Sequence, residues 1–226
     1  MPDAARADLS RLHVVVPIRA LSGGKRRLGP VLDAHEREAL VIGCLRHTLD
    51  VLTSWRGAAV VHVVSPDPAV APIARAAGAR PLLQPGAGLN AGILAARAVA
   101  LAEGASALLV IPGDLPLLET GVLEALAEAA DAAVAAGSGQ AIVVIAPADA
   151  RTGTNALLIS PPDAIEPGFG PGSLERHLRG AEAAGASTQL VVDPALGFDL
   201  DTPEDLALLE PTRLAELLAL GKAAGP

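Results

Sequence analysis

Short apolar runs alternate along the chain with segments in which apolar positions recur every three or four residues. The runs occupy residues 13–17, 59–65, 107–112, 141–146, 155–160 and 189–193, and are bounded by Gly, Pro, Ser or Asp. Most are continuously apolar, the pattern of strands buried on both faces. Between them, helical spacing predicts helices over 33–54, 68–77, 89–103, 119–136 and 173–184. Leu40, Val41, Leu45, Thr48, Leu49 and Leu52 carry the stripe of the first. A last helix is predicted from Thr202, its N-cap, to near Gly221. Pro203 stands at the first helical position, and Glu204 and Asp205 in the first turn. Strand–helix alternation predicts an α/β fold of three layers with a mostly parallel sheet. No internal repeat or linker interrupts it. The chain reads as one domain over residues 1–226, with residues 1–10 as a flexible tail.

Composition narrows the function. Of 226 residues one is Trp, two are Phe and none is Tyr, so no aromatic platform exists for single-stranded nucleic acid. A net charge of −8 provides no footprint for nucleic acid or an anionic membrane. No apolar run reaches the length of a membrane span. The polar N-terminus carries no signal-peptide region. The single Cys44 excludes an internal disulfide and a thiol metal site, and a cytoplasmic, reducing location is expected.

In an open α/β sheet, ligands bind beyond the carboxyl ends of the strands. After the first run, residues 17–28 hold Gly23 and Gly24 with four cations, Arg19, Lys25, Arg26 and Arg27. Glycines let the backbone approach a polyanion, and the cations neutralise it. The loop is neither a P-loop nor a GxGxxG turn. Fifteen of the 17 basic residues are Arg, so a lysine here points to a need for a compact charge, against the alternative of a solvated basic loop. Residues 84–90 form a turn opening a helix, where Gly88 and Asn90 are candidates to read a nucleotide; a plain turn is the competing reading. Asp114 follows a buried strand, where a carboxylate is costly unless it is paired or bound to a cation. Asp199 and Asp201 fall on one side of an extended segment. With Asp114 they make a set of hard oxygen ligands suited to Mg²⁺. Residues 151–155 supply hydroxyls and amides before a strand. Residues 169–173 precede a helix that Ser173 can cap, whose N-terminus suits a phosphate.

A basic glycine loop, three acids and two anion turns, without a Ser-His-Asp order, an HExxH or an evident general base, fit phosphoryl or nucleotidyl transfer. The ordered set PIRALSGGKRRL, GLN, GDLPLL, GTNALL, FGPGSLERH and FDLDTPEDL resembles the 2-phospho-L-lactate guanylyltransferase family, whose bacterial members are described as phosphoenolpyruvate guanylyltransferases. The resemblance spans about residues 13–210. It implies a GT-A-like (Rossmann-like) nucleotidyltransferase fold. It also implies transfer of GMP from GTP to a phosphorylated three-carbon acid, with release of pyrophosphate, on the route to deazaflavin coenzyme F-420. In family terms Thr154, Gly170 and Ser173 contact the acid, Asp114, Asp199 and Asp201 hold Mg²⁺, and the loop from Gly23 to Lys25 covers the GTP phosphates. Lys25 and Arg27 are the candidates to stabilise charge on the pyrophosphate. Arg19 stands where relatives often carry Lys, and Arg26 where a small residue is common. Competing readings are another nucleotidyltransferase of this fold (a molybdenum-cofactor guanylyltransferase, or a cytidylyl- or uridylyltransferase), a GT-A glycosyltransferase and a non-catalytic nucleotide-binding domain. The residues do not choose between phosphoenolpyruvate and 2-phospholactate, and they leave the oligomeric state open, a homodimer included.

Overall fold

The computed structural model describes residues 6–84, 86–137, 141–148 and 152–223. In chain order the elements are β1 (Leu12–Pro17), α1 (Ala34–Ser54), β2 (Val60–Ser65), α2 (Val70–Ala76), β3 (Arg80–Leu83), α3 (Leu89–Ala102), β4 (Ala107–Val110) and α4 (Thr120–Ala136). There follow β5 (Ile142–Pro147), β6 (Thr154–Ser160), α5 (Ser173–Ala183), β7 (Ser187–Leu190), α6 (Pro194–Gly197), α7 (Pro203–Leu208) and α8 (Pro211–Lys222). The strands form one sheet in the order β3-β2-β1-β4-β6-β5-β7. Pairing is parallel except at β6, which runs antiparallel to both β4 and β5.

The period of two along each strand divides the core between the two faces. Val14 and Val16 of β1 join Leu45 and Leu49 of α1 and Leu126 of α4 on one face. Val15 points the other way, against Ile93, Ala96 and Ala100 of α3. At the other half of the sheet, Val143, Ile145, Leu157 and Ile159 pack on Ala181 of α5. Burial on both faces is why these strands read as unbroken apolar runs. The six stripe positions of α1 are all buried, and the helix opens on a capping box: the Asp33 side chain accepts from the Glu36 backbone N–H, and the Glu36 side chain accepts from the Asp33 backbone N–H.

Four expectations change. β3 was absent from the apolar runs because it is a half-buried edge strand carrying Pro81, which an edge tolerates. β7 begins two residues before the predicted run at 189–193 and ends inside it. The last helix is two helices, because Pro211 cannot continue α7 and instead starts α8. Residues 6–10 are not a loose tail: the Ala7 N–H donates to Asp131 at 2.8 Å, and Ala7 and Leu9 pack on the core. Residues 1–5 lie outside the described residues. Among the described residues no helix is long and apolar enough to cross a membrane.

α8 lies on α1 and closes a fourth cluster, which includes Leu28, Leu40, Cys44, Leu200, Leu209 and Leu217. Burial pushes the Cys44 thiol up to about 12, so it stays protonated and acts as a small apolar side chain. The two backbones meet at glycines. A Cβ on Gly43 would lie 1.9 Å from the Leu217 carbonyl oxygen, and one on Gly221 would lie 1.8 Å from that of Ala39. Backbone cannot rotate aside as a side chain can, so Gly43→Ala is expected to lose about 1–3 kcal/mol of stability. Gly121→Ala, on α4 with nothing within 4 Å of the added carbon, is expected to gain a few tenths of a kcal/mol. Thermal melts of the two variants check the opposite signs.

Candidate active site

The carboxyl ends of β1 and β4, the start of β6 and the loops before α5 and α7 enclose one open cleft of about 840 Å³. Among the sequence-predicted residues, Gly23, Gly24, Lys25, Arg27, Asp114, Thr154, Gly170, Ser173, Asp199 and Asp201 all line it. Segments nearly two hundred residues apart in the chain thus share one wall.

The acidic end is organised around Lys25. Its ammonium donates to Asp114 Oδ2 at 3.0 Å, to the Leu200 carbonyl at 2.9 Å and to Asp201 Oδ1 at 3.4 Å. The side chain is only 5% exposed, while the Asp114 and Asp201 side chains stay about half open. Burial works against the charged ammonium, but the Asp114 and Asp201 carboxylates outweigh it and hold its pKa above the ordinary lysine value. Lys25 has φ 48° and ψ 43°, and is the only non-glycine residue with positive φ among those described. A left-handed backbone at a lysine is a strained choice that the surrounding bonds must hold. Sequence reading places this ammonium among phosphates; the structure places it against carboxylates.

Asp199 completes the group. Its Oδ1 accepts from Asn155 Nδ2 at 2.9 Å, and the same amide donates to the Leu196 carbonyl at 2.7 Å. Loss of hydration pushes the Asp199 carboxyl up to about 6; Asn155 opposes this and the neighbouring Asp114 and Asp201 add to it. Three carboxylates therefore face one ammonium. They are hard oxygen donors with an excess of negative charge, the chemistry a divalent cation such as Mg²⁺ takes, although their oxygens do not all lie within 4.8 Å of one another around the ammonium. Glu204 and Asp205 serve α7 instead, as expected: Thr202 and Asp205 form a reciprocal cap.

The opposite wall is a clamped loop. Gly172, not Ser173, caps α5: it sits in the left-handed region at φ 70°, so Ser173 is already in the first turn. The Ser173 hydroxyl is buried, lines the cleft and has no hydrogen-bond partner among the described residues. Asn90 also departs from expectation. Its amide accepts from the Phe169 N–H at 2.8 Å and donates to the Phe169 carbonyl at 3.0 Å, so it is spent on the loop rather than free to read a base. Gly88 does not line the cleft either; its carbonyl accepts from Gln84 at 2.8 Å, and Pro85 lies outside the described residues. Arg176 donates to the carbonyls of Gly168 and Pro171. Of the turn at 151–155, Arg151 lies outside the described residues, while Gly153, Thr154 and Asn155 line the cleft.

The sequence reading left His177 without a role, although it lies four residues after Ser173 on α5 and so on the same helical face. It is fully buried and bonds both Thr154 and Gly168. Outside the cleft, His13, His62 and Glu103 bring three ligand-type atoms together. Glu103 is already paired with Arg80 at 3.0 Å, and His62 Nδ1 lacks the partner that orients a metal-bound imidazole. The group is a packed histidine pair beside an ion pair.

A family profile described as "Guanylyl transferase CofC like" matches residues 12–210. A Rubrobacter xylanophilus protein named phosphoenolpyruvate guanylyltransferase is 48% identical over 201 residues, covering 88% of this chain and 93% of that one. Among solved structures, a Desulfovibrio desulfuricans G20 protein described as a nucleotide-diphospho-sugar transferase superposes with a TM-score of 0.71 at 18% identity, covering 93% of this chain and 96% of that one. A nucleotidyl transferase from Methanothermobacter gives 0.61 at 18% identity, covering 91% and 98%. These two likenesses show the fold, the one expected from the sequence.

Proposed function

The chain belongs to the CofC-like guanylyl transferase family, and from that premise we propose that it transfers GMP from GTP to phosphoenolpyruvate, releasing pyrophosphate, in deazaflavin coenzyme F-420 biosynthesis. One observation carries the reading. A single cleft holds three carboxylates about a buried lysine on one wall, and unpartnered or cleft-facing hydroxyls with a glycine loop on the other. The two walls match the two halves of the reaction, a nucleoside triphosphate and a small phosphorylated acid.

Asp114, Asp199 and Asp201 would hold Mg²⁺, which supplies neutralisation of phosphate charge when bound. Gly23 and Gly24 let the loop backbone approach the GTP phosphates. Thr154, Gly170 and Ser173 receive the carboxylate and phosphate of the acid. Held there, an ionised phosphate oxygen of the acid attacks the α-phosphorus of GTP. The new P–O bond forms as the bond to the β-phosphate breaks, and pyrophosphate leaves. The nucleophile is already anionic, so no side chain must remove a proton. Arg27 offsets charge building on the departing pyrophosphate, while Lys25 holds Asp114 and Asp201 in place on the acidic wall. A cytoplasmic location agrees with this chemistry, since GTP is a cytoplasmic substrate, and the net charge of −8 supports small-molecule rather than nucleic-acid partners.

The test is mass spectrometry of products from GTP, Mg²⁺ and either phosphoenolpyruvate or 2-phospho-L-lactate, with ATP, CTP and UTP in parallel. A GMP adduct of phosphoenolpyruvate, formed with one equivalent of pyrophosphate, is expected. If neither acid is guanylylated, the proposal is wrong.

A further inference from the structure

The wall that faces the acid contains a proton arrangement that the hydrogen bonds define. A backbone N–H can only donate, and the Gly168 N–H points at His177 Nε2 at 2.9 Å. Nε2 is therefore the bare, accepting nitrogen. His177 is fully buried on α5, with the Phe169 ring edge-on to it at 5.2 Å. Burial first, and then the neighbouring Arg176 charge, pull its pKa down to about 4, so the ring is neutral near pH 7. A neutral imidazole with a bare Nε2 carries its proton on Nδ1. Nδ1 lies 3.0 Å from Thr154 Oγ1. That bond must then run from His177 to Thr154, with the hydroxyl oxygen accepting. The hydroxyl's own hydrogen is left over. Thr154 is 6% exposed and lines the cleft, and no other partner takes that hydrogen among the described residues.

We propose that His177 is a positioning residue that fixes the Thr154 hydroxyl as a hydrogen-bond donor into the cleft and locks it to the loop at 168–172. The inference rests on the reading that Thr154 meets the acid substrate, and deepens it. With Thr154 set as a donor and the Ser173 hydroxyl lining the same cleft without a partner among the described residues, this wall offers hydroxyl hydrogens to oxygens that accept, those of a phosphate or carboxylate. The loop is presented ready-made, with His177 on Gly168, Asn90 on Phe169 and Arg176 on Pro171. Ordering it at the moment of binding would cost affinity that a preformed wall retains.

Two measurements test this. First, two-bond ¹H–¹⁵N correlations of ¹⁵N-histidine-labelled protein at pH 7 are expected to show His177 as the Nδ1–H tautomer. An Nε2–H or doubly protonated ring overturns the proposal. This reading does not depend on activity. Second, His177→Gln and Thr154→Val are each expected to raise the KM for the acid about tenfold, with the KM for GTP within twofold of wild type. The double variant is expected to be no worse than the poorer single one, because both break one relay. His177→Asn, whose amide can still donate near the Nδ1 position, is expected to recover part of the loss. Additive effects, or an equal rise in the KM for GTP, overturn the proposal and leave His177 a packing residue. If wild type guanylylates neither acid, the functional reading fails on its own. Inorganic phosphate then replaces the acid: weaker phosphate binding in both variants sustains the relay, and unchanged binding overturns it.

Discussion

Asp114→Asn is expected to lower pyrophosphate release from GTP and the acid by about a thousandfold, with the fold intact. The substitution keeps the shape of the side chain and removes one negative charge from a position just beyond β4, between Gly113 and the buried Leu115. Lys25 keeps two of its three acceptors, the Leu200 carbonyl at 2.9 Å and Asp201 at 3.4 Å, so the buried ammonium is not orphaned. The cost therefore falls on charge balance at the site rather than on folding. A single well-placed electrostatic group removed from an active site commonly lowers turnover a hundred- to a thousandfold, and a residue that would also hold the metal belongs at the upper end. Mn²⁺ affinity, read by the free-ion electron paramagnetic resonance signal, is expected to fall in the same variant. Asp205→Asn makes the contrast. Its carboxylate accepts from the backbone N–H groups of Asp201 and Thr202 at 3.0 and 2.7 Å, a capping role, so that variant is expected to lose about 1 kcal/mol of stability and little activity. Near-normal turnover by Asp114→Asn would overturn the assignment of the acidic wall.

How much of this was legible in the sequence depends on whether the signal was local. The central strands were, because burial on both faces writes an unbroken apolar run, as at Val14–Val16. The capped helix start at Thr202 was, with Pro203 at its first position. The edge strand β3 was not: with one side open to solvent and Pro81 within it, Arg80–Leu83 has neither a run nor an alternation to read. Asp114 was legible as a strand-end carboxylate, since an acid after a buried strand needs a partner, and Asp199 and Asp201 as two acids on one side of an extended segment. What that partner is was not legible. Lys25 lies 89 residues from Asp114 and 176 from Asp201, and no spacing rule links them. Asn90 failed for the same reason. A polar side chain in a first helical turn looks free until the chain brings Phe169 to it, 79 residues on. His177 left a trace, its i+4 relation to Ser173, but its partners Thr154 and Gly168 come from elsewhere in the chain. The direction of their hydrogen bonds exists only in three dimensions.

The second large effect is expected at Lys25, where Arg should fail almost as badly as Met. Both variants are expected to lose about a hundredfold or more in kcat. The three acceptors around Nζ, Asp114 Oδ2, the Leu200 carbonyl and Asp201 Oδ1, surround a point, and an ammonium offers three hydrogens from one point. A guanidinium offers a planar fork of greater width, which cannot reach all three from a side chain that is 5% exposed and launched from a left-handed backbone. Lys25→Arg thus keeps the charge and loses its position, while Lys25→Met keeps the apolar stem and loses the charge. The two separate on a second measurement. Without the ammonium, Asp114, Asp199 and Asp201 face one another with no protein cation among them, so Lys25→Met is expected to melt below wild type and to gain more from added Mg²⁺. Lys25→Arg, which still carries a cation nearby, is expected to gain no more from Mg²⁺ than wild type. Thermal melts with and without Mg²⁺, read beside kcat, check both halves. Full activity in Lys25→Arg would mean that the site needs only a positive charge, and the argument that a chain so rich in arginine keeps lysine here for its compactness would fall.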